Sequence, residues 1–214
     1  MSTHNEKLLQ LAMQRAVNGK GDLTASLAEN CLTPGAGLTE TELALAYDIV
    51  RVLIESVNIG IRRHLAEYLA ERDDLPEDLI LSLVHDDIAV AYPVLVHNKT
   101  LDDNVLIDVI ANRTSLHRMA ISIRNTVSKN VSKALVATND RDVIESLLYN
   151  KSAGMDAITL DRIIDMFSDF SVFHLPLVRR RELSDGQAKL LSGRVSGTLR
   201  RHLKSQFDLE TETV

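Results

Sequence analysis

The sequence predicts an all-α protein, an α-solenoid of about five short helix pairs. Three observations predict it. Apolar residues recur at helical spacing in five successive segments. Helix-start residues fall between those segments where a repeat would need them. Glycine and proline number only nine and four, too few for the many tight turns of a β-sandwich or barrel. The 214 residues divide, on this reading, into N-terminal helices packed on the array (1–35), a helical-repeat domain (36–207) and a loose tail (208–214). The repeat domain ends in a basic capping helix at about 184–207.

The repeat is visible when five segments are aligned: "IRRHLAEYL" from Ile61, "VAYPVLVHN" from Val90, "LHRMAISIRN" from Leu116, "VIESLLYN" from Val143 and "VFHLPLVRR" from Val172. Four carry apolar residues four and five positions after the opening (Leu65 and Ala66, Val94 and Leu95, Ala120 and Ile121, Leu147 and Leu148); the fifth has Pro176 and Leu177. That spacing marks one face of a helix. A second helix follows in each unit: "LPEDLILSLV", "LDDNVLIDVI", "VSKNVSKALV", a late copy near "TLDRIIDMF" after the extra residues "KSAGMDA", and "LSDGQAKLL". No unit is long enough to bury its apolar face alone, so stacking on neighbours must do it.

The ends of the helices are legible too. Thr39 with Glu42 and Ser184 with Gln187 have the spacing of capping boxes. Pro76 suits a first helical position. Asp86 or Asp87 and the pair Asp102 and Asp103 suit helix starts. Asn98, Asn125 and Asn150 each close the first helix of a unit, where asparagine tolerates left-handed backbone. Pro93 and Pro176, inside first helices, should kink or shorten them. Ahead of the array, residues 39–57 form an unusually apolar helix with a stripe of Leu45, Ile49, Val52 and Leu53. Such a helix is buried or pairs with a second copy of the chain. "CLTPGAG" reads as a linker before it.

Composition narrows the function classes. Hydrophobic residues make up 45%, enough for a sizeable core, and with no tryptophan that core rests on aliphatic side chains. A single cysteine, Cys31, allows no intrachain disulfide. No apolar run reaches membrane-spanning length, and the first twenty residues lack the apolar block of a signal peptide, so a cytoplasmic protein is expected. Net charge is −6, unevenly placed: residues 179–204 carry +6, the stretch from Ser205 carries −3 and residues 1–178 carry −9.

Two chemical readings compete with a simple scaffold. His85 followed by Asp86, with His64 upstream and Asp140 or Asp161 downstream, is a possible ligand set for a divalent metal, as in the HD-type phosphohydrolases that it resembles. The repeat argues against it, because the equivalent turns later in the chain hold capping residues and no shared ligands. No phosphate loop, nucleophile elbow or kinase signature is present, and no cofactor is expected. The second reading is non-specific polyanion binding through Arg179, Arg180, Arg181 and the basic helix after them. Few aromatics accompany these charges, which disfavours sequence-specific or single-strand nucleic-acid recognition.

The stretch "HDDIAVAYPVL" followed by "LDDNVLIDVI" resembles an uncharacterised bacterial family, known chiefly from alphaproteobacteria, that carries a domain of unknown function. The units are similar to HEAT-like and leucine-rich-variant helical repeats, although the turns at Asn98, Asn125 and Asn150 lack the proline of the variant repeat. The likeness runs over roughly residues 40–180. It implies a helical array, suggests a bacterial regulatory or signalling setting, and transfers no catalytic residue. The expected function is a non-catalytic protein-interaction module. Its partner-facing residues are read as the acidic Asp78, Asp102, Asp103 and Asp108, facing a basic protein, with Arg179 to Arg181 as a second candidate patch.

Overall fold

The computed structural model describes Ser26, residues 37–55 and residues 57–207. The expected N-terminal helices, Cys31, most of the linker and the tail lie outside them. The described residues form twelve α-helices and one isolated bridge. The chain divides into two compact units, residues 1–101 and 102–214, within the range that the sequence reads as one array.

In the first unit the helices are α1 (Glu40–Ile54), α2 (Ile59–Leu69), α3 (Glu77–Val84) and α4 (Ile88–His97). The Thr39–Glu42 capping box starts α1, with each residue's side chain bonded to the other's backbone N–H. Asn58 and Asp87 cap α2 and α4 with their side-chain oxygens. Pro76 stands one position before α3, at the cap itself. Helix α4 packs on both α2 and α3. Leu65, Ala66 and Leu69 of α2, and Val90, Ala91, Val94 and Leu95 of α4, are fully buried, as the apolar spacing requires.

Helix α1 departs from the expected stripe. It ends at Ile54 rather than near Val57, and it buries Ala46, Tyr47, Val50, Leu53 and Ile54 while Val52 is 71% exposed. The reason is Tyr47. Its ring is buried and its hydroxyl donates to Asp74 at 3.0 Å while accepting from Arg72 Nε at 2.8 Å. Burying that ring turns the helix away from the purely aliphatic face. Desolvation and the Asp74 bond push the Tyr47 phenol up to about 12. The Arg72 guanidinium holds the Asp74 carboxyl below its usual range. Because the folded phenol sits above its ordinary value of 10.0, its contribution to stability is present below that pH and is lost as pH rises through about 12. Asp74 works in the opposite sense: its contribution is present above the unfolded carboxylate's pKa and is lost on acidification. In a spectrophotometric titration of the four tyrosines, one is expected to ionise last, and Asp74→Asn to bring it down. Four tyrosines ionising together would contradict this network.

The second unit contains α5 (Asp103–Asn112), α6 (Ser115–Ser122), α7 (Lys129–Ala137), α8 (Arg141–Tyr149), α9 (Ala157–Phe167), α10 (Ser171–Val178), α11 (Asp185–Ser192) and α12 (Gly197–Phe207). Within it α5 packs on α7, α7 on α9 and α9 on α11; α6 packs on α8, α8 on α10 and α10 on α12. Successive helices in the chain thus alternate between two rows. The core lies between the rows, with Val109, Ile121, Val131, Leu135, Val143, Ile144, Leu147, Leu160, Ile163 and Phe173 all fully buried. Phe173 stacks on Phe167 with ring centroids 4.7 Å apart.

Several expectations change in detail. The single cap helix at about 184–207 is two helices, α11 and α12, separated at Gly193–Ser196; Gly193 and Gly197 weaken the helix there. The Ser184–Gln187 capping box does start α11. Pro93 and Pro176 each lie inside a helix that continues beyond them. Helices α6 and α8, which lack proline, are just as short at eight and nine residues, so proline does not set the length. In the third segment Leu116 is 60% exposed and His117 is 1% exposed. His117 takes the core position because Thr114 Oγ1 lies 2.8 Å from its Nδ1 and satisfies the ring.

The asparagine caps also work differently. Asn98 and Asn150 do end α4 and α8, but in extended backbone, and the described non-glycine residue with left-handed backbone is Asn139 (φ 57°). Asn98 and Asn150 act through their amides. Asn98 Nδ2 donates to the Arg72 carbonyl at 2.9 Å. Asn150 Nδ2 donates to the Ser122 and Arg124 carbonyls at 2.8 Å each. Arg180 continues the series by donating to the Asn150 carbonyl at 2.8 Å and to that of Ala153. The turn residue of the third unit is therefore Arg124, 4% exposed, rather than the exposed Asn125. In sequence the turn residues run 72, 98, 124, 150, 180: three steps of 26 and one of 30, the last lengthened by the connector around "KSAGMDA". That connector is fixed by the bridge between Val127 and Ala153 and the 2.9 Å bond from Gly154 N to the Val127 carbonyl.

Candidate functional site

The acids read from the sequence as partner-facing are each engaged within their own unit. Both oxygens of Asp78 accept from Arg51, at 2.5 and 3.0 Å, which lowers the Asp78 pKa and raises that of Arg51. Asp102 caps α5 by accepting from Val105 N at 2.8 Å. Asp103 accepts from Ser128 Oγ at 2.6 Å and so ties α5 to the start of α7. Asp108 accepts from Asn112 Nδ2 at 2.7 Å. These acids thus serve as a helix cap (Asp102), as ties between helices (Asp78, Asp103) and in a bond within α5 (Asp108).

The possible metal ligands are likewise engaged. Asp86 accepts from Arg62 through both oxygens, at 2.6 and 3.0 Å. His85 forms the C-terminal cap of α3. His64 lies on the exposed side of α2, with Nδ1 3.6 Å from Glu67 and its ring edge-on to Tyr68. Asp140 caps α8, and Asp161 accepts from Gln187. Among the described residues no three His, Cys, Asp or Glu side chains converge as a metal site would need. The Arg62 guanidinium on both oxygens of Asp86 already balances its charge.

The arginine run is brought together, but its members do different work. Arg180 is 4% exposed; besides its two carbonyl acceptors it holds Glu182 at 2.8 Å. It belongs to the interior and is not available as a surface contact. Arg179 and Arg181 are exposed, and neither makes an ion pair among the described residues. They open onto a cleft of about 450 Å³ at the C-terminal ends of α8 and α10, whose wall also includes Tyr149, Lys151 and Pro176. Tyr149 is 50% exposed, and Lys151 is exposed with no ion-pair partner among the described residues. Sequence reasoning missed Lys151 and Tyr149. The register of turn residues is the signal that finds them: 149 and 179 precede a turn residue, and 151 and 181 follow one.

A second concavity, in the first unit, lies between α2 and α4 and is lined by Arg63, Glu67, Glu71, Tyr92 and His97 among others. There Arg63 is paired with Glu67 at 3.1 Å. Its charges offset one another, unlike those of the α8–α10 cleft.

Fold and site together define an all-α protein of short helices, most of them capped by side chains, with a basic cleft at the ends of α8 and α10. The chain belongs to DUF2336, a family of uncharacterised proteins conserved in bacteria, whose model matches residues 90–214. The match starts later than the likeness drawn from the sequence and takes in the basic C-terminal helices. No curated protein and no solved structure matches the chain. No helix among the described residues is long and apolar enough to cross a membrane.

Proposed function

We propose that this chain is a non-catalytic protein-interaction module, a HEAT-like α-solenoid that presents clefts between adjacent helix ends to a partner protein. The observation that carries the reading is the two-row packing of the second unit, in which each helix lies on the one two places before it. Arrays of this kind owe their stability to neighbouring repeats and leave their edges open for docking. The side-chain bonds between successive turns support the same reading, since they hold register along one edge.

The test is affinity capture of the intact chain from its native cell, followed by reconstitution with the purified candidate and calorimetry. A stoichiometric complex is expected. Recovery of nothing that rebinds in purified form counts against the module. Elemental analysis checks the rival chemistry: stoichiometric manganese, iron, nickel or zinc in the purified chain, lost in His85→Ala, would replace this reading with a metal enzyme.

A further inference from the structure

We infer that the cleft between the ends of α8 and α10 is a phosphate-recognition site, and that its occupant is a phosphorylated side chain on a protein partner. The inference rests on the interaction-module reading and names the chemistry of the partner.

Charge is the first argument. Lys151, Arg179 and Arg181 surround one concavity, and none of them has an ion-pair partner among the described residues. The carboxylate on the rim, Glu182, is already held by the buried Arg180. Three cations over one cleft exceed what a single carboxylate can balance. A phosphate monoester carries about −1.5 to −2 at neutral pH and offers three acceptor oxygens. Guanidinium groups match that arrangement with paired N–H donors, and an ammonium adds a point charge.

Shape is the second. The wall between the cations is apolar, with Leu148, Tyr149 and Pro176, so it can cover the carbon stem of a side chain while the rim holds the anion. A cleft of about 450 Å³ encloses one such group. A nucleic-acid strand asks for something else: a continuous basic track with successive aromatic platforms, whereas Tyr149 is the aromatic residue in this wall. Arg180 fixes the floor. By bonding to the Asn150 and Ala153 carbonyls it locks the α8–α9 connector to the end of α10, so Lys151 and Arg181 are presented from anchored turns.

The experiment uses the intact chain and a fluorescein-labelled nonapeptide with a central phosphoserine. Its unphosphorylated twin, its glutamate twin and a thymidine oligonucleotide are the comparisons, read by fluorescence anisotropy. The phosphopeptide is expected to bind at least about tenfold more tightly than the glutamate twin and to weaken with added salt. Amide shifts on the unaltered, isotope-labelled chain should centre on Tyr149, Lys151, Arg179 and Arg181. Arg179→Glu with Arg181→Glu should abolish binding while the circular dichroism spectrum is unchanged; Lys151→Glu alone should weaken it about tenfold. Equal binding of the glutamate twin or the oligonucleotide overturns the inference, as does the absence of binding or a shift map elsewhere. If Arg179→Glu with Arg181→Glu still captures the native partner, the module reading stands and this inference alone fails.

Discussion

Arg180→Ala is expected to cost about 3–5 kcal/mol of unfolding free energy. The side chain is 4% exposed, and its terminal nitrogens serve the carbonyls of Asn150 and Ala153 and the carboxylate of Glu182. Truncation removes the Arg180 donor from the Ala153 carbonyl, leaves the Asn150 carbonyl with the 3.2 Å bond from Ala153 N, strips Glu182 of its partner and opens a gap beneath the cleft. Each unsatisfied acceptor costs about 1–3 kcal/mol. Arg180→Lys should recover little, because one ammonium cannot reproduce a fork that reaches two carbonyls and a carboxylate together. The neighbours supply the control: Arg179→Ala and Arg181→Ala, both on exposed side chains, should shift stability by no more than about 0.5 kcal/mol. Urea unfolding followed by circular dichroism measures all four. Equal, small effects at 179, 180 and 181 would mean that the buried bonds of Arg180 contribute nothing.

Asn150→Asp is expected to destabilise by about 3 kcal/mol near neutral pH, at least as much as Asn150→Ala. The substitution preserves size and the acceptor that Ser152 N uses at 3.0 Å. It replaces the amide that donates to the Ser122 and Arg124 carbonyls with a charged oxygen facing two carbonyl oxygens. Alanine merely deletes the donor. The ordering of the two variants therefore isolates the donated bonds from shape. An aspartate variant as stable as the parent would show that the connection between turns is held by backbone packing alone. The same substitution at Asn98, whose amide donates to the Arg72 carbonyl at 2.9 Å, should also destabilise.

The helices themselves were readable because their causes are local. Thr39 with Glu42, Ser184 with Gln187, Asp87 and Asp102 all cap helices, and each needs only residues two or three positions away. The buried positions of α2, α4 and α8 follow from apolar spacing, because a helix repeats its faces whatever it packs against. The errors arose where the apolar pattern left more than one local option open. Leu116 and His117 could each have faced the core, and the Thr114 hydroxyl settled it for histidine. Asn125 looked like its neighbours Asn98 and Asn150, yet the buried turn position belongs to Arg124. Nothing within five residues distinguishes those two; the 26-residue register does.

The candidate site was half legible. Basic composition marked residues 179–181, but three adjacent arginines look alike on paper. Only the fold turns Arg180 inward and leaves Arg179 and Arg181 beside Lys151 and Tyr149, some thirty residues earlier in the chain. The acidic candidates gained neighbours: Asp78 and Asp103 bond to Arg51 and Ser128, Asp102 caps α5 through Val105 N, and Asp108 bonds to Asn112 within α5.

The sequence by itself determined the all-α class, the helix starts and the apolar faces, since these depend on backbone hydrogen bonding and on spacing within one or two turns. Tertiary structure alone decided which residue of each turn goes inside, how one turn is bonded to the next, and which charges remain unpaired at the surface. Those outcomes depend on groups separated by one whole repeat, where burial makes every unpaired donor or acceptor costly and so selects a single arrangement.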